Sequence, residues 1–572
     1  MRTAKRLAGA VAAAGVSLAV VAACGGGGSS DSGKTVSTSF ADCATKPNDC
    51  NGGATKQGGT LTYAVEKKIT GWNLNDAETN TADYVPVMTG ITPQAFVVEP
   101  DFSVRLNDDL LDSAEQTSTS PQTIVYKIKK EAVWDDGTPI SADDFTYAFQ
   151  TRNSKDCKDC SPASASGYNI IKSVTGSDNG KTVTVVFDSP FPDWKALFDN
   201  LQPAHIAKQH GDLATSFKWF NETVPTFSGG PYKISDYQKD VSVTEVPNPK
   251  WYGKTKPKLD KLVFRIITDQ SQEVPALQNN EVQVIYPQPD QDMVNQVKAL
   301  APNVQYSLGT GLTWEHFDLN LKNKFLADKP LRQAIFTALN RQEVIAKTIG
   351  QFVPGAKPLN NHNFKPSQDG YKDVVTSTGA GSGDVEKAKK VLTDAGYKGV
   401  GTALATPAGE PISLRVTYTA SNPLRKATAE LFQKQMQAIG LKIDVTPTQT
   451  LGPTLTKGDY DVILFAWIGQ PFALQGAEQL WGSASDSNYG KWVNPKSDDL
   501  LKQATAQVDP KKATDLLNQA NQVMADDYYV LPLFQKPTFL AAYSQFANIR
   551  DNATTSSPGY NNQEWGLRAS AK

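Results

Sequence analysis

The chain has 572 residues, and its 57 Lys and Arg residues nearly balance its 59 Asp and Glu residues. A formal net charge of -2, without a basic stripe along the chain, argues against nucleic acid as a partner. A chain of this length exceeds one hydrophobic core, so we expect two or three domains.

The N-terminus has the pattern of an export signal. A short basic stretch precedes an apolar run that ends at Ala23, and this run is too short for a stable membrane span. Cys24 follows small residues directly, which resembles the bacterial lipobox, whose cysteine carries a diacylglyceryl group. We therefore predict a signal peptide over 1–23 and a chain anchored by lipid on the extracytoplasmic face of the cell membrane. An ordinary cleaved signal followed by a chance cysteine is the alternative.

Residues 24–58 are rich in Gly, Ser and Thr, and they predict a lipidated, flexible spacer. The four cysteines after Cys24 form two close pairs in the sequence. An even number of cysteines in an exported chain favours disulfides, and of the three possible pairings we favour the two local ones. The predicted disulfide cysteines are Cys43, Cys50, Cys157 and Cys160.

The spacing of Cys157 and Cys160 also fits half of a zinc site or a redox motif. No second cysteine pair with a suitable histidine pattern follows in the sequence. We therefore expect neither a bound metal nor a cofactor.

Strands and helices are intermixed along the rest of the chain, which predicts a mixed α/β fold. Alternation of apolar residues indicates strands, and apolar residues at i, i+3, i+4 and i+7 indicate helices. Ser141 and Asp328 are predicted helix N-caps. The predicted strands cover 123–129, 181–188, 441–445 and 462–467, and two further helices cover 384–395 and 424–439, each ended by a glycine.

Several separated segments carry the pattern of one family. Residues 133–145 read Val-Trp-Asp-Asp-Gly-Thr-Pro-Ile-Ser-Ala-Asp-Asp-Phe, 229–232 read Gly-Gly-Pro-Tyr, and 248–252 read Asn-Pro-Lys-Trp-Tyr. Ala-Leu-Gln-Asn-Asn-Glu-Val stands at 276–282 and Leu-Arg-Gln-Ala-Ile at 331–335. In this order the segments resemble the family 5 extracytoplasmic solute-binding proteins, the oligopeptide, dipeptide and nickel receptors of ABC importers.

The resemblance implies a two-lobed clamshell of the periplasmic binding protein type (type II, class C), with an extra subdomain on the first lobe. Two crossing strands would join the lobes. The implied bounds are 59–305 for lobe I, about 76–180 for its inserted subdomain, 306–525 for lobe II, 526–572 for the return to lobe I, and 311–320 and 526–532 for the crossings.

The resemblance also implies a function. A small solute, expected to be an oligopeptide, would be captured between the lobes by hinge closure and delivered to the ABC permease subunits by a monomeric receptor without enzymatic activity. The alternatives are a non-peptide solute such as an oligosaccharide or a metal chelate, and a sensory receptor. A secreted hydrolase is disfavoured, because the chain lacks the G-x-S-x-G and H-E-x-x-H patterns.

The predicted ligand loop is Phe-Ala-Trp-Ile-Gly-Gln-Pro-Phe at 465–472. In peptide receptors of the family, the corresponding loop pairs with the ligand backbone, and its aspartate receives the ligand's α-amine. Here Gln470 or its neighbours stand where that aspartate would be. The resemblance therefore predicts ligand contacts from Ala466, Trp467, Gly469 and Gln470. The alternative for Trp467 is that it only packs under the loop.

The missing aspartate leaves three alternatives. Glu66 or Glu315 replaces it, the ligand's end is bound by amide groups and backbone carbonyls, or the ligand is not a free peptide. Neighbouring side chains alternate faces on a strand, so the cleft would receive either Trp314 with His316 or Glu315 alone. A core Trp314 with a solvated Glu315 is the structural alternative.

Overall fold

The structure is a computed structural model, and it describes residues 40–81, 84–420, 422–469, 471–485, 487–554 and 556–571. The predicted signal peptide, Cys24 and Gln470 lie outside the described residues. Within the described ranges, no helix is both long enough and apolar enough to cross a lipid bilayer.

Strands form in the described chain where apolar residues alternate or run continuously. In chain order they are β1 (Thr55–Lys56), β2 (Thr60–Val65), β3 (Phe96–Val98), β4 (Val104–Leu106), β5 (Leu111–Thr119), β6 (Gln122–Ile128), β7 (Ile171–Ser177), β8 (Thr182–Phe187), β9 (Tyr232–Gln238), β10 (Ser242–Pro247), β11 (Lys261–Ile266), β12 (Val284–Ile285), β13 (Val304–Leu319), β14 (Ser413–Thr419), β15 (Lys442–Thr448), β16 (Val462–Trp467), β17 (Val530–Tyr543), β18 (Phe546–Ala547) and β19 (Gly566–Arg568).

Helices lie between these strands along the chain. They are α1 (Val85–Thr89), α2 (Ala142–Arg152), α3 (Ala204–Ala207), α4 (Leu213–Glu222), α5 (Glu273–Gln278), α6 (Gln291–Lys298), α7 (Lys329–Ala338), α8 (Arg341–Lys347), α9 (Val385–Asp394), α10 (Pro423–Met436), α11 (Leu451–Lys457), α12 (Ala473–Trp481), α13 (Pro495–Thr505) and α14 (Pro510–Asp526). This composition confirms the predicted mixed α/β fold.

The largest sheet is continuous across the molecule. Its ten described strands lie in the order β15-β14-β16-β13-β17-β12-β2-β11-β10-β9. The two long antiparallel strands β13 and β17 occupy its middle, so they belong to both halves. We call the half with β12, β2, β11, β10 and β9 lobe I, and the half with β16, β14 and β15 lobe II.

The two lobes meet where the pairing of β13 with β17 shifts register. Thr310 pairs with Pro537, and the next pair is Trp314 with Gln535, so three residues of β13 (311–313) lie opposite one residue of β17, Lys536. The register shift on β13 lies beside the predicted first crossing, 311–320, whose bounds stay a prediction. The second crossing lies near residues 535–537 and not at the predicted 526–532, because β17 first pairs with the lobe II half of β13.

A separate four-stranded sheet, in the order β5-β6-β8-β7, forms the subdomain. The predicted subdomain boundary at residue 180 would divide the antiparallel pair β7 and β8, and β8 is a central strand of this sheet. The subdomain therefore extends beyond residue 180. Its helix α2 begins with a capping box, in which the Ser141 side chain accepts from the Asp143 amide and the Asp144 carboxylate accepts from the Ser141 amide.

The N-terminal part of the described chain is folded onto lobe I. A 3₁₀ turn covers Phe40–Ala44, and β1 pairs with β19 near the C-terminus. Cys43 is bonded to Cys50, and Arg550 donates to the Cys50 carbonyl at 2.9 Å. Residues 40–58, predicted as spacer, are therefore structured, because a disulfide and strand pairing offset the entropy that a Gly-rich segment loses on ordering.

The strands and helices predicted from local patterns are present in the structure, but one predicted cap makes no hydrogen bond to its helix. Asp328 stands at the N-cap of α7, but its carboxylate accepts from the Tyr397 hydroxyl and forms no hydrogen bond to the helix. Gly440, with φ +80°, ends the helical segment that starts with α10. In the subdomain, Cys157 is bonded to Cys160.

Candidate functional site

A cavity of about 320 Å³ lies where lobe I, the crossing strands and lobe II come together. Its volume is at the lower end of the range for small-molecule sites. Lobe I contributes the end of β2 and the residues after β12, the crossing contributes Thr313 and Lys536, and lobe II contributes Ile468. A solute bound here would touch both lobes and the hinge at once.

Groups of both charge signs line this cavity. Glu66 and Lys67 follow β2 directly, and Glu66 is the acidic side chain among the described residues of the lining. Lys536, on β17, also lines the cavity. Burial lowers the pKa of Lys536, and the nearby carboxylate of Glu315 opposes that shift. The cavity therefore suits a solute that carries both an anionic and a cationic group.

Glu315 does not face the cavity as a free acid. It is buried, and Arg425 donates a hydrogen bond to each of its carboxylate oxygens. Nε lies 3.0 Å from Oε2, and Nη2 lies 3.0 Å from Oε1. Burial alone would raise the pKa of Glu315, but Arg425 outweighs burial and holds the pKa below its ordinary value. The prediction that Glu315 receives a ligand amine is therefore not supported, because Arg425 already occupies its carboxylate.

Trp314 is a core residue of lobe II. Its side chain is buried, its ring centroid lies 4.5 Å from that of His316, and the Lys365 ammonium lies 4.8 Å from its centroid. His316 is buried as well and shares a hydrogen bond of 2.8 Å between its Nδ1 and Asp318 Oδ1. Both faces of this part of β13 are covered by lobe II, so the predicted alternation between cleft and core does not apply here.

Trp467 packs within lobe II and is absent from the lining of the cavity. Its ring is nearly parallel to that of Tyr489 at 5.7 Å and meets Phe465 edge-on at 5.0 Å. Its Nε1 is buried and has no hydrogen-bond partner among the described residues. Ala466 pairs with Glu315 in the sheet. The next residue, Ile468, is the one that reaches the cavity, with 48% of its surface exposed.

Gly469 has a steric role at the same place. A Cβ atom at this position would lie 2.3 Å from the Leu312 carbonyl oxygen, so only glycine lets the loop approach the crossing strand this closely. The structure thus brings the predicted loop to the cleft. The loop residue that lines the cavity is Ile468, and Ala466, Trp467 and Gly469 do not line it. Gln470 is outside the described residues.

One edge of β16 near the cavity carries no neighbouring strand within the described sheet. β14 pairs with β16 only from Val462 to Leu464, whereas β13 continues to pair as far as Trp467. From Phe465 onward this edge of β16 has no strand neighbour in the described sheet, and sheet edges of this kind are where extended peptides can add a strand in other proteins.

Sequence reasoning missed Lys67, Thr313, Ile468 and Lys536. The sequence could have indicated Lys536 as a site residue, because it is the only charged residue within the strand Val530–Tyr543. Within the described chain, no group of three or more His, Cys, Asp and Glu side chains is placed to hold a metal ion.

Comparison with known proteins identifies relatives across most of the chain. Oligopeptide-binding protein OppA of Mycobacterium tuberculosis (strain ATCC 25618 / H37Rv) is 29% identical over 502 residues, which is 86% of this chain and 83% of that protein. The dipeptide-binding protein of Escherichia coli (strain K12) is 26% identical over 532 residues, 86% of this chain and 90% of that protein.

Solved structures show the same fold. The periplasmic EDTA-binding protein EppA superposes with a TM-score of 0.89 at 38% identity, over 92% of this chain and 98% of that chain. The oligopeptide-binding protein AppA of Bacillus subtilis, in complex with a nonapeptide, superposes with a TM-score of 0.75 at 22% identity, over 91% of this chain and 100% of that chain.

The family model described as bacterial extracellular solute-binding proteins, family 5 Middle, matches residues 105–491. This match covers more than half of the chain, and the expectation from the sequence motifs is confirmed. The chain belongs to the family 5 bacterial extracellular solute-binding proteins.

Proposed function

We propose that this protein captures short peptides between its lobes and delivers them to the permease of an ABC importer. The observation that carries the proposal is the cavity at the crossing, where both lobes and the hinge supply lining residues. A ligand that touches both sides stabilises the closed arrangement by its extra contacts, and the permease can then recognise that state.

Two features of the cavity favour a peptide. The edge of β16 beyond Leu464 offers main-chain groups to an extended ligand. Glu66 and Lys536 both line the cavity and can pair with charged groups of a peptide, since a charged group in a closed cleft needs a partner. The names of the relatives OppA and the dipeptide-binding protein agree with this assignment.

A metal complex of an aminopolycarboxylate is the second candidate. EppA, an EDTA-binding protein by its name, is 38% identical to this chain, and the match covers 92% of this chain. Lys67 and Lys536 at the cavity are cations that carboxylates of such a complex would pair with.

The proposal includes attachment to the extracytoplasmic face of the cell membrane through lipid on Cys24, as a monomer. Its support is the basic, apolar and small-residue sequence before that cysteine. Expression of wild-type protein and Cys24→Ser in a bacterial host tests it. We expect wild type in the membrane fraction with a lipid-sized mass increase, and Cys24→Ser without that increase. Equal masses would contradict lipidation.

Calorimetric titration of the purified protein with peptides of two to five residues, and separately with Fe(III)-EDTA, tests the solute. We expect binding of peptides without a change in their covalent structure, accompanied by a smaller radius of gyration in solution scattering. Binding of Fe(III)-EDTA alone would favour the second candidate. Cleavage of a peptide by the protein would contradict a pure binding role.

A further inference from the structure

Glu245 occupies a core position of lobe I. Residues of β10 alternate between the two faces of the sheet, so Val243 and Glu245 both point inward, and each is 0% exposed. Neither carboxylate oxygen of Glu245 has a hydrogen-bond partner among the described residues. Burial raises the pKa of Glu245, and no charged neighbour in the described chain contributes to that shift. An ionised carboxylate at this depth therefore lacks the counter-charge that buried charges need.

Two more buried polar side chains belong to the same place. Asn562, in the 3₁₀ segment Pro558–Glu564, is buried, and neither its amide oxygen nor its amide nitrogen has a partner within the described ranges. The Tyr232 hydroxyl, from β9, lacks one there too. Burial, and after it the charge of Glu245, raises the pKa of Tyr232, so these two groups lie close together. Unpaired buried polar groups are rare in folded proteins, so three of them in one place indicate a bound species that pairs with them.

Gly90, directly after α1, leaves open space between two of these groups. A Cβ atom built on Gly90 would lie 2.8 Å from Asn562 Nδ2 and 3.2 Å from Glu245 Oε2. The amide and the carboxylate thus face the same space without a hydrogen bond to each other. The φ of Gly90 is -73°, which any residue adopts, so the backbone conformation does not require a glycine. What Gly90 contributes is room for a small occupant.

The chemistry of these groups selects the occupant. The carboxylate excludes an anion. The donors are oxygen atoms, namely the two of Glu245, the Tyr232 hydroxyl and the Asn562 amide oxygen, since an amide side chain can present either terminal atom. Oxygen donors suit hard cations. One positive charge neutralises a single carboxylate, whereas a divalent cation would leave an excess charge in the core, and a water molecule would supply hydrogen bonds but no charge.

We propose that lobe I binds one alkali cation, Na⁺ or K⁺, between Glu245, Asn562 and Tyr232. The proposal goes beyond solute binding, because these three residues do not line the solute cavity. Both elements that flank the site reach that cavity, since Pro86 of α1 and Ser557, directly before the 3₁₀ segment, are lining residues. A bound cation would hold the two elements together and so brace one wall of the solute cavity. Where no small cation is present, a proton on Glu245 takes its place.

Thermal unfolding of the purified protein in different salts tests the proposal. The protein is measured at about pH 8 in NaCl, KCl and tetramethylammonium chloride of equal concentration, because the last cation is too large for a buried site. We expect wild type to unfold about 1–3 °C higher in NaCl or KCl, with a rise that saturates as a binding curve does. Glu245→Gln, which removes the charge, and Gly90→Ala, which fills the space, should each unfold at one temperature in all these salts.

Two control variants match these substitutions. Glu115→Gln removes an exposed acid of β5, and Gly476→Ala adds a methyl group where no other atom lies within 4 Å. Both should keep the wild-type dependence on the cation. Equal unfolding temperatures of wild type in all these salts would overturn the proposal, and so would a cation dependence that persists in Glu245→Gln or in Gly90→Ala. Should Gly90→Ala fail to fold by circular dichroism, Glu245→Gln carries the test.

Discussion

Arg425 on α10 forms a two-pronged ion pair with Glu315 on β13, with two N···O distances of 3.0 Å, inside lobe II. The pair ties the helix to the strand that continues into lobe I. The pair thus stabilises the lobe II end of the crossing strand β13.

Replacement of Glu315 by Gln leaves the Arg425 guanidinium buried without its counter-charge. We expect a loss of about 3–5 kcal/mol in the free energy of unfolding, measured by urea titration. Lys426→Ala, which removes a lysine of an exposed pair with Glu430 on the same helix, is the control and should change it by less than about 1 kcal/mol. Equal effects of the two substitutions would contradict the importance assigned to the buried pair.

Glu66 is expected to pair with a solute amine. Glu66→Gln should weaken the binding of a free tripeptide by about tenfold, whereas binding of the N-acetylated tripeptide should not change. The exposed acid Glu78, which lies outside the cavity, provides the control variant Glu78→Gln. If Glu66→Gln weakens both peptides equally, the side chain shapes the cavity and does not bind an amine.

Glu245 on β10 predicts an unusual pH dependence of stability. Neither carboxylate oxygen has a hydrogen-bond partner among the described residues, and burial raises the pKa of Glu245 well above its ordinary value. The folded state therefore retains a proton that the unfolded chain releases near pH 4.3. Stability from this group is full below that pH and is lost as the pH rises through the folded pKa.

Glu245→Gln should remove this loss, because an amide does not ionise. We expect the variant to gain stability relative to wild type as the pH rises above about 4.3, measured by thermal unfolding across a pH series. The exposed Glu115→Gln on β5 should follow the wild-type profile. A constant difference between Glu245→Gln and wild type at every pH would show that Glu245 does not titrate on unfolding.

Gly469 permits the loop after β16 to touch Leu312 directly. Gly469→Val should displace the loop and weaken solute binding by about tenfold or more, since small shifts of positioning groups are costly. Gly476→Ala on α12 is the control, because a Cβ atom there meets no other atom within 4 Å. Calorimetric titration measures both. Wild-type affinity in Gly469→Val would show that the loop does not shape the site.

The local sequence was sufficient for most elements of secondary structure. Alternating residues predicted β6 and β8, the Ser141 capping box began α2, and Gly440 ended the segment that starts with α10. Such features depend on neighbours a few residues apart, which the sequence displays directly. The family, too, was evident from short motifs, because those motifs form turns and caps that the fold requires.

The tertiary structure alone decided which charged groups reach the cleft. Glu315 and Glu66 are both acids beside apolar strand residues. Only the fold shows that the carboxylate of Glu315 is paired with Arg425, which lies 110 positions away in the chain. Likewise, the register shift between Thr310 and Trp314 places Lys536 at the cavity and moves the second crossing along β17. Strand pairing and side-chain packing join residues distant in the chain, and the pattern of a single strand does not contain its partner's register.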